Sequence, residues 1–247
     1  NRFRKTIRAI DLASRILANN TPTNIEKITV VNVDMGIETL RATIPRETLV
    51  NSVLKGALPE ELVEFSTDDS LNPGASIVDN EYLYPHFSWS IRPVLAGTLQ
   101  HPEKFYFWQL QAVANAQLSL KKGLYLNSEI TVNIINNYDK GYHYHWPDGQ
   151  LHHVRQNRRL YLREGEKKGL RKLSLDYLTD LHPNVKAKMS AGYLEMMFGG
   201  FGGEVIYMPD HKQWALGLEA YWLKQRDFEQ KFGFQDYETV TGLLSYY

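Results

Sequence analysis

Three glutamates, Glu195, Glu204 and Glu219, stand in a stretch rich in glycine and aromatic residues, and the pair Arg226-Asp227 follows them. Two carboxylates that face one another can do acid and base work on a glycosidic bond. The same groups on the polar side of a sheet would instead tie strands together through ion pairs and hydrogen bonds, the ordinary use of lumen charges in a membrane barrel. A second group lies earlier, at His143-x-His145 and His152-His153. Closely spaced imidazoles can ligate zinc or copper, but a polar loop gives the same composition, and no metal site is assigned. Tyr142, Tyr144 and Trp146 in that loop offer planes that match the apolar faces of sugar rings. They serve equally as loop packing or an interfacial aromatic belt. The run Gly199-Gly200-Phe201-Gly202-Gly203 is no phosphate cradle, because such a loop must open a helix and here a β-rich segment follows. Glycines within a strand mark a bend or a close backbone approach. No cofactor is expected.

The elements that would position these residues are strands. From Trp214 to Trp222 the side chains alternate, with Trp214, Leu216, Leu218, Ala220 and Trp222 on one face and Ala215, Gly217, Glu219 and Tyr221 on the other. Period-two alternation is the signature of a strand with one apolar side. It places Glu219 opposite the apolar face. Tyr106 to Leu120 and Leu124 to Ile134 alternate in the same way, with Lys121-Lys122-Gly123 as the tight turn between them. These runs are longer than the five or so residues usual in soluble sandwiches and reach the 9 to 11 or so that a membrane strand needs. Further strands are predicted near 157–165, 170–181, 185–195, 201–208, 214–226 and 236–247, with breaks at Gly165, Pro183, Gly199-Gly200 and Pro209-Asp210. Aromatic residues close the apolar face of Trp214–Trp222 at both ends, as they do where amphipathic rings settle at membrane–water interfaces.

The beginning of the chain has another character. Ile7, Ile10, Ala13, Ile16 and Leu17 recur at helical spacing, Asn19-Asn20-Thr21-Pro22 stops the helix, and two β-rich runs around Gly36 precede a second helix after Pro45. Residues 1–60 therefore read as a small α/β module, 61–83 as an acidic, turn-rich linker, and 84–247 as the β region.

The 247 residues carry 28 basic and 28 acidic side chains, so no net field favours nucleic acid. There is no cysteine, which excludes disulfides and thiolate chemistry. No apolar run reaches the ~20 residues of a membrane helix. A mean hydropathy of -0.40 still allows a barrel, whose strands dilute their apolar side chains by alternation. The chain opens on a helical pattern without a signal peptide and stops inside a strand-like run, as an internal piece of a longer precursor would.

Ala191-Gly192-Tyr193-Leu194-Glu195-Met196-Met197-Phe198-Gly199-Gly200-Phe201-Gly202-Gly203-Glu204, then Trp214-Ala215-Leu216-Gly217, Lys224-Gln225-Arg226-Asp227-Phe228, Tyr237 and Thr241-Gly242, resemble the YjbH/GfcD family in that order. These are outer-membrane proteins of exopolysaccharide and group 4 capsule systems. A looser match reaches back to Leu151-His152-His153-Val154-Arg155, where the family often shows Leu-Pro-x-Val-Arg. The histidines depart from that pattern, and no role is carried onto them. The resemblance implies an antiparallel outer-membrane β-barrel, incomplete in this chain, behind a periplasmic α/β module. It implies exopolysaccharide or capsule biosynthesis and export rather than catalysis. Membrane lipid, polysaccharide and other export proteins are the implied partners. The rivals are a soluble periplasmic glycan-binding β-sandwich and a polysaccharide-modifying enzyme that uses the lumen carboxylates.

Overall fold

The computed structural model describes residues 6–35, 37–55, 83–101, 104–137, 160–161, 169–182, 184–209 and 214–247. The chain divides into two compact units, Asn1–Asn80 and Glu81–Tyr247.

In the first unit helix α1 (Thr6–Asn20) is followed by the antiparallel pair β1 (Lys27–Asp34) and β2 (Ile37–Pro45), then by α2 (Arg46–Lys55). Ala18, Ile28, Ile44 and Leu49 form its core. On α1, Ile10, Ser14 and Ala18 are buried one turn apart, while Ile16 and Leu17 remain exposed. Arg46, first in α2, donates to the carbonyl oxygens of Ala18, Thr21 and Pro22, so one guanidinium caps the end of α1 and fixes the second helix to it.

The second unit is one eight-stranded antiparallel sheet in sequence order: β3 (His86–His101), β4 (Lys104–Lys121), β5 (Leu124–Asn136), β6 (Gly169–His182), β7 (Val185–Tyr193), β8 (Phe198–Tyr207), β9 (Leu216–Arg226) and β10 (Phe234–Tyr246). The meander is not closed: β3 and β10 are its edges. Its shortest strand, β7, has 9 residues and its longest, β4, has 18. Pro93 sits in β3, where an edge strand tolerates its missing N–H. The tight β4–β5 turn places Gly123 at φ 77, and a Cβ there would lie 2.1 Å from the Leu178 carbonyl oxygen. Only glycine meets both demands.

The register gives each face a predominant character, although Phe107, Val113 and Tyr125 are buried among the polar side chains of the second face. Phe87, Trp89, Ile91, Leu95 and Leu99 of β3 share a face with Leu126, Ile130 and Val132 of β5, Leu175 and Tyr177 of β6, Phe201 and Val205 of β8, Leu218 of β9 and Leu244 of β10. All of them are exposed. The other face carries Gln109, Gln111, Ser119, Thr131, Ser174, Asp176 and Ser190, all buried. A soluble sheet buries its apolar face; this one does the reverse.

Two sequence-based expectations need correction. A strand near 157–165 is not formed at Leu160–Tyr161, which is helical; the rest of that span lies outside the described residues. Gly199-Gly200 is not a break but part of β8, and the chain turns earlier, over 194–197. The glycines are there for close approach. A Cβ on Gly202 would fall 2.3 Å from the Ala220 carbonyl oxygen and 2.4 Å from the Tyr221 ring.

Candidate functional site on the inner face

Alternation along β6 puts Lys172, Ser174 and Asp176 on the buried face and Leu173, Leu175 and Tyr177 on the other. On β7 it turns Lys188 and Ser190 inward, on β8 Glu204, and on β9 Glu219 and Tyr221. Side chains of β6 through β10 thus converge on one cleft of about 280 Å³, whose wall includes Lys172, Asp176, Lys188, Glu195, Glu204 and Tyr221.

Within the cleft each charge is engaged. Glu204 Oε1 accepts from Lys188 Nζ at 2.8 Å and from the Tyr221 hydroxyl at 2.6 Å. Asp176 Oδ2 accepts from Asn127 Nδ2 at 2.6 Å and from Ser174 Oγ at 2.8 Å, with Lys172 Nζ at 3.8 Å. The acceptor-only carboxylates are matched to donors on three neighbouring strands, which locks the strands in register.

The sequence singled out Glu195, Glu204, Glu219, Arg226 and Asp227. The structure brings Glu195 and Glu204 to one cleft. Glu219 faces the same way and stands directly opposite Glu204 in the β8–β9 ladder. Arg226 does something else. It is fully buried at the end of β9 and donates to the carbonyl oxygens of Glu195 at 2.9 Å, Lys231 at 3.0 Å and Arg171 at 3.2 Å. Its guanidinium carbon lies 4.4 Å from the centre of the Tyr193 ring. One planar fork gathers three chain segments and stacks on an aromatic face. Asp227 belongs to the turn after it, where its backbone N–H donates to the Gly233 carbonyl at 3.1 Å.

Beside Arg226 lies an apolar cluster of Tyr161, Met197 and Phe198, packed by Met196, Leu223, Phe228 and Tyr237. The Tyr161 hydroxyl donates to the Arg226 carbonyl oxygen. Burial pushes this phenol up to about 12, partly offset by a hydrogen bond to Gln225 and by the charge of Arg226. Tyr161 anchors part of the β5–β6 connection to the sheet.

Tyr142, Tyr144 and Trp146, with His143, His145, His152 and His153, lie outside the described residues. Among the described residues no group of three or more His, Cys, Asp or Glu could hold a metal ion. Sequence reasoning missed Lys172, Asp176, Lys188 and Tyr221. The signal was present: in Leu173-Ser174-Leu175-Asp176-Tyr177 the polar positions have one parity.

The full chain, residues 1–247, matches the family model described as "Exopolysaccharide biosynthesis protein YbjH". It is 30% identical over 259 residues to the "Uncharacterized lipoprotein YjbH" of Escherichia coli (strain K12), an alignment covering 100% of this chain and 36% of that protein. The chain thus spans little more than a third of that relative's length. No solved structure matches. A charged polar face in a meander of long strands, with a family match from end to end, leaves one conclusion: this chain belongs to the YjbH family of exopolysaccharide biosynthesis proteins.

Proposed function

We propose that residues 84–247 form part of the wall of an outer-membrane β-barrel that serves exopolysaccharide or capsule export, with residues 1–60 on the periplasmic side. The supporting observation is the inverted sheet. Leu218 is 60% exposed and Leu244 75% exposed, whereas Gln111 on the opposite face is 2% exposed. In water that arrangement leaves a broad apolar surface uncovered. In a bilayer it is the stable one, since acyl chains take the apolar face and the polar face lines an aqueous interior. An open edge in hydrocarbon leaves N–H and C=O groups unsatisfied, so in a bilayer β3 and β10 must be paired, with each other or with further strands. The relative's printed description as a lipoprotein fits a place in a Gram-negative envelope. No described helix is long and apolar enough to cross a membrane, which says nothing about strands.

In this reading the protein guides or organises polymer export with polysaccharide and export proteins as partners, and performs no catalysis. Glu204 is held by a lysine and a tyrosine, as a wall-bracing carboxylate would be. A soluble glycan-binding sandwich would need a second sheet over the apolar face, and the eight strands form one sheet.

The test uses the full-length protein with spin labels on cysteines introduced at Leu218 and, in a second variant, at Glu219. In lipid vesicles the first label is expected to be relaxed by dissolved oxygen and the second by a water-soluble nickel complex. Equal exposure of both labels to the nickel complex would refute the barrel.

A further inference from the structure

The inner face is rich in charge yet has no net sign. Lys186 Nζ sits 2.7 Å from Asp180, Lys188 2.8 Å from Glu204, Lys172 3.8 Å from Asp176 and Arg171 3.9 Å from Glu129. Each of these four cations has its own acid; outside these pairs Glu219 of β9 adds a negative charge and Arg92 of β3 a positive one to the same face. A groove that attracts an anionic polymer presents an excess of one sign, which focuses the field into it. Here most of the charge is neutralised pair by pair.

What remains for a ligand is concentrated on the β3–β5 side. A second cleft, of about 520 Å³, is bounded on this face by Ser88, Ser90, Asn115, Gln117 and Asn127, together with Glu129 and Lys172, two of the paired charges above. Amides and hydroxyls are both donors and acceptors, and this is the complement of a sugar hydroxyl, which is also both. The amides are held in rows. Gln117 Nε2 donates to Asn127 Oδ1 at 2.9 Å, and Asn127 donates onward to Asp176. Farther along the same strands, Gln109 Nε2 donates to Asn133 Oδ1 at 3.2 Å. Each Asn or Gln has more hydrogen-bonding positions than one such bond uses. Gln109 is itself buried and only braces its partner, but Asn115, Gln117, Asn127 and Asn133 are partly exposed and offer donors and acceptors along β4 and β5.

We propose that this amide and hydroxyl strip is a contact track for an uncharged, hydroxyl-rich glycan, and that the paired charges of β6–β9 brace the wall without selecting an acidic polymer. The inference rests on the barrel reading above and adds the class of polymer. Weak, repeated hydrogen bonds suit a polymer that must move on.

The experiment takes the full-length protein in detergent micelles and measures binding of a linear maltodextrin and an oligogalacturonate of equal length by calorimetry. The track predicts that the neutral oligomer binds more tightly. It also predicts that Asn115→Leu with Gln117→Leu weakens that binding about tenfold, while heat-modifiable gel mobility stays intact. Tighter binding of the oligogalacturonate, no binding of either oligomer, or neutral binding unmoved by the double variant would overturn the track. Loss of heat-modifiable mobility already in the unsubstituted protein would instead strike the barrel reading. A double variant that alone loses mobility is replaced by Asn115→Ala, for which a weakening of the neutral oligomer is again expected and its absence overturns the proposal.

Discussion

Glu204 of β8 and Glu219 of β9 are direct cross-strand partners on the inner face. Two like charges in that position repel, and the ladder tolerates them because Glu204 is neutralised from the other side. Lys188, its cross-strand neighbour on β7, reaches it at 2.8 Å, and the Tyr221 hydroxyl closes on the same oxygen. A row of three strands therefore reads Lys188, Glu204, Glu219, and the middle member decides the balance.

Removing the lysine should expose that repulsion. Lys188→Met is expected to cost below ~1 kcal/mol, since both side chains of the pair are over a third exposed and water screens them. Lys188→Met combined with Glu204→Gln should recover most of the loss, because the like-charge pair is gone as well. Urea midpoints of the four proteins in detergent give the cycle. Strictly additive losses would show that the two side chains do not interact.

Outward and inward positions one residue apart should respond oppositely to charge. Leu218→Arg places a guanidinium on the apolar face and is expected to cost about 2 to 4 kcal/mol in a bilayer. Glu219→Arg, on the inner face, should leave assembly intact. The fraction of full-length protein with heat-modifiable mobility after refolding into vesicles separates them, and equal fractions would contradict the membrane assignment.

The strands and their facing could be read from the sequence because alternation is a local signal. Trp214, Leu216 and Leu218 against Gly217 and Glu219 orient β9 without any knowledge of its neighbours. The start of β8 could not be read so, because Gly199-Gly200 looks like a turn until its cross-strand partners Tyr193 and Gly192 are known. Arg226 was singled out as a family-like charge, but its work is done on carbonyl oxygens of Arg171, Glu195 and Lys231, and a backbone acceptor leaves no trace in sequence. Tyr161 was missed for the same reason: its partners lie 65 and more residues away.

Close approach makes Gly202 irreplaceable where Gly217 is not. A Cβ at Gly202 would meet the Ala220 carbonyl oxygen at 2.3 Å, whereas at Gly217 the nearest atoms are 3.6 Å away. Gly202→Ala is expected to cost about 2 kcal/mol or more through forced backbone shift, and Gly217→Ala to be nearly neutral. Refolding yields and urea midpoints of the two variants check the contrast; equal midpoints would mean that the β8–β9 contact is looser than the geometry shows.

Arg226 should be among the least replaceable side chains described. Arg226→Met leaves three carbonyl oxygens without their donor in a buried site and is expected to cost about 3 kcal/mol. Arg226→Lys keeps the charge but loses the planar fork and the stack on Tyr193, and should recover less than half of that. Midpoints in detergent rank the three proteins, and a Lys variant equal to the parent would show that charge alone is needed.

Tyr161 gives the protein an alkaline limit whose sign follows from its burial. Its phenol is held neutral in the folded chain up to about 12, against 10.0 when exposed. Below pH 10 both states hold the proton and its contribution is complete. Between pH 10 and pH 12 the unfolded chain ionises first, so stability falls as pH rises, and it is lost through the folded value. Tyr161→Phe removes the titration together with the hydrogen bond to the Arg226 carbonyl oxygen. The variant should start less stable at pH 8 and lose less between pH 10 and pH 12 than the parent. Urea midpoints across that range give both quantities, and parallel curves for the two proteins would show that the phenol is open to solvent.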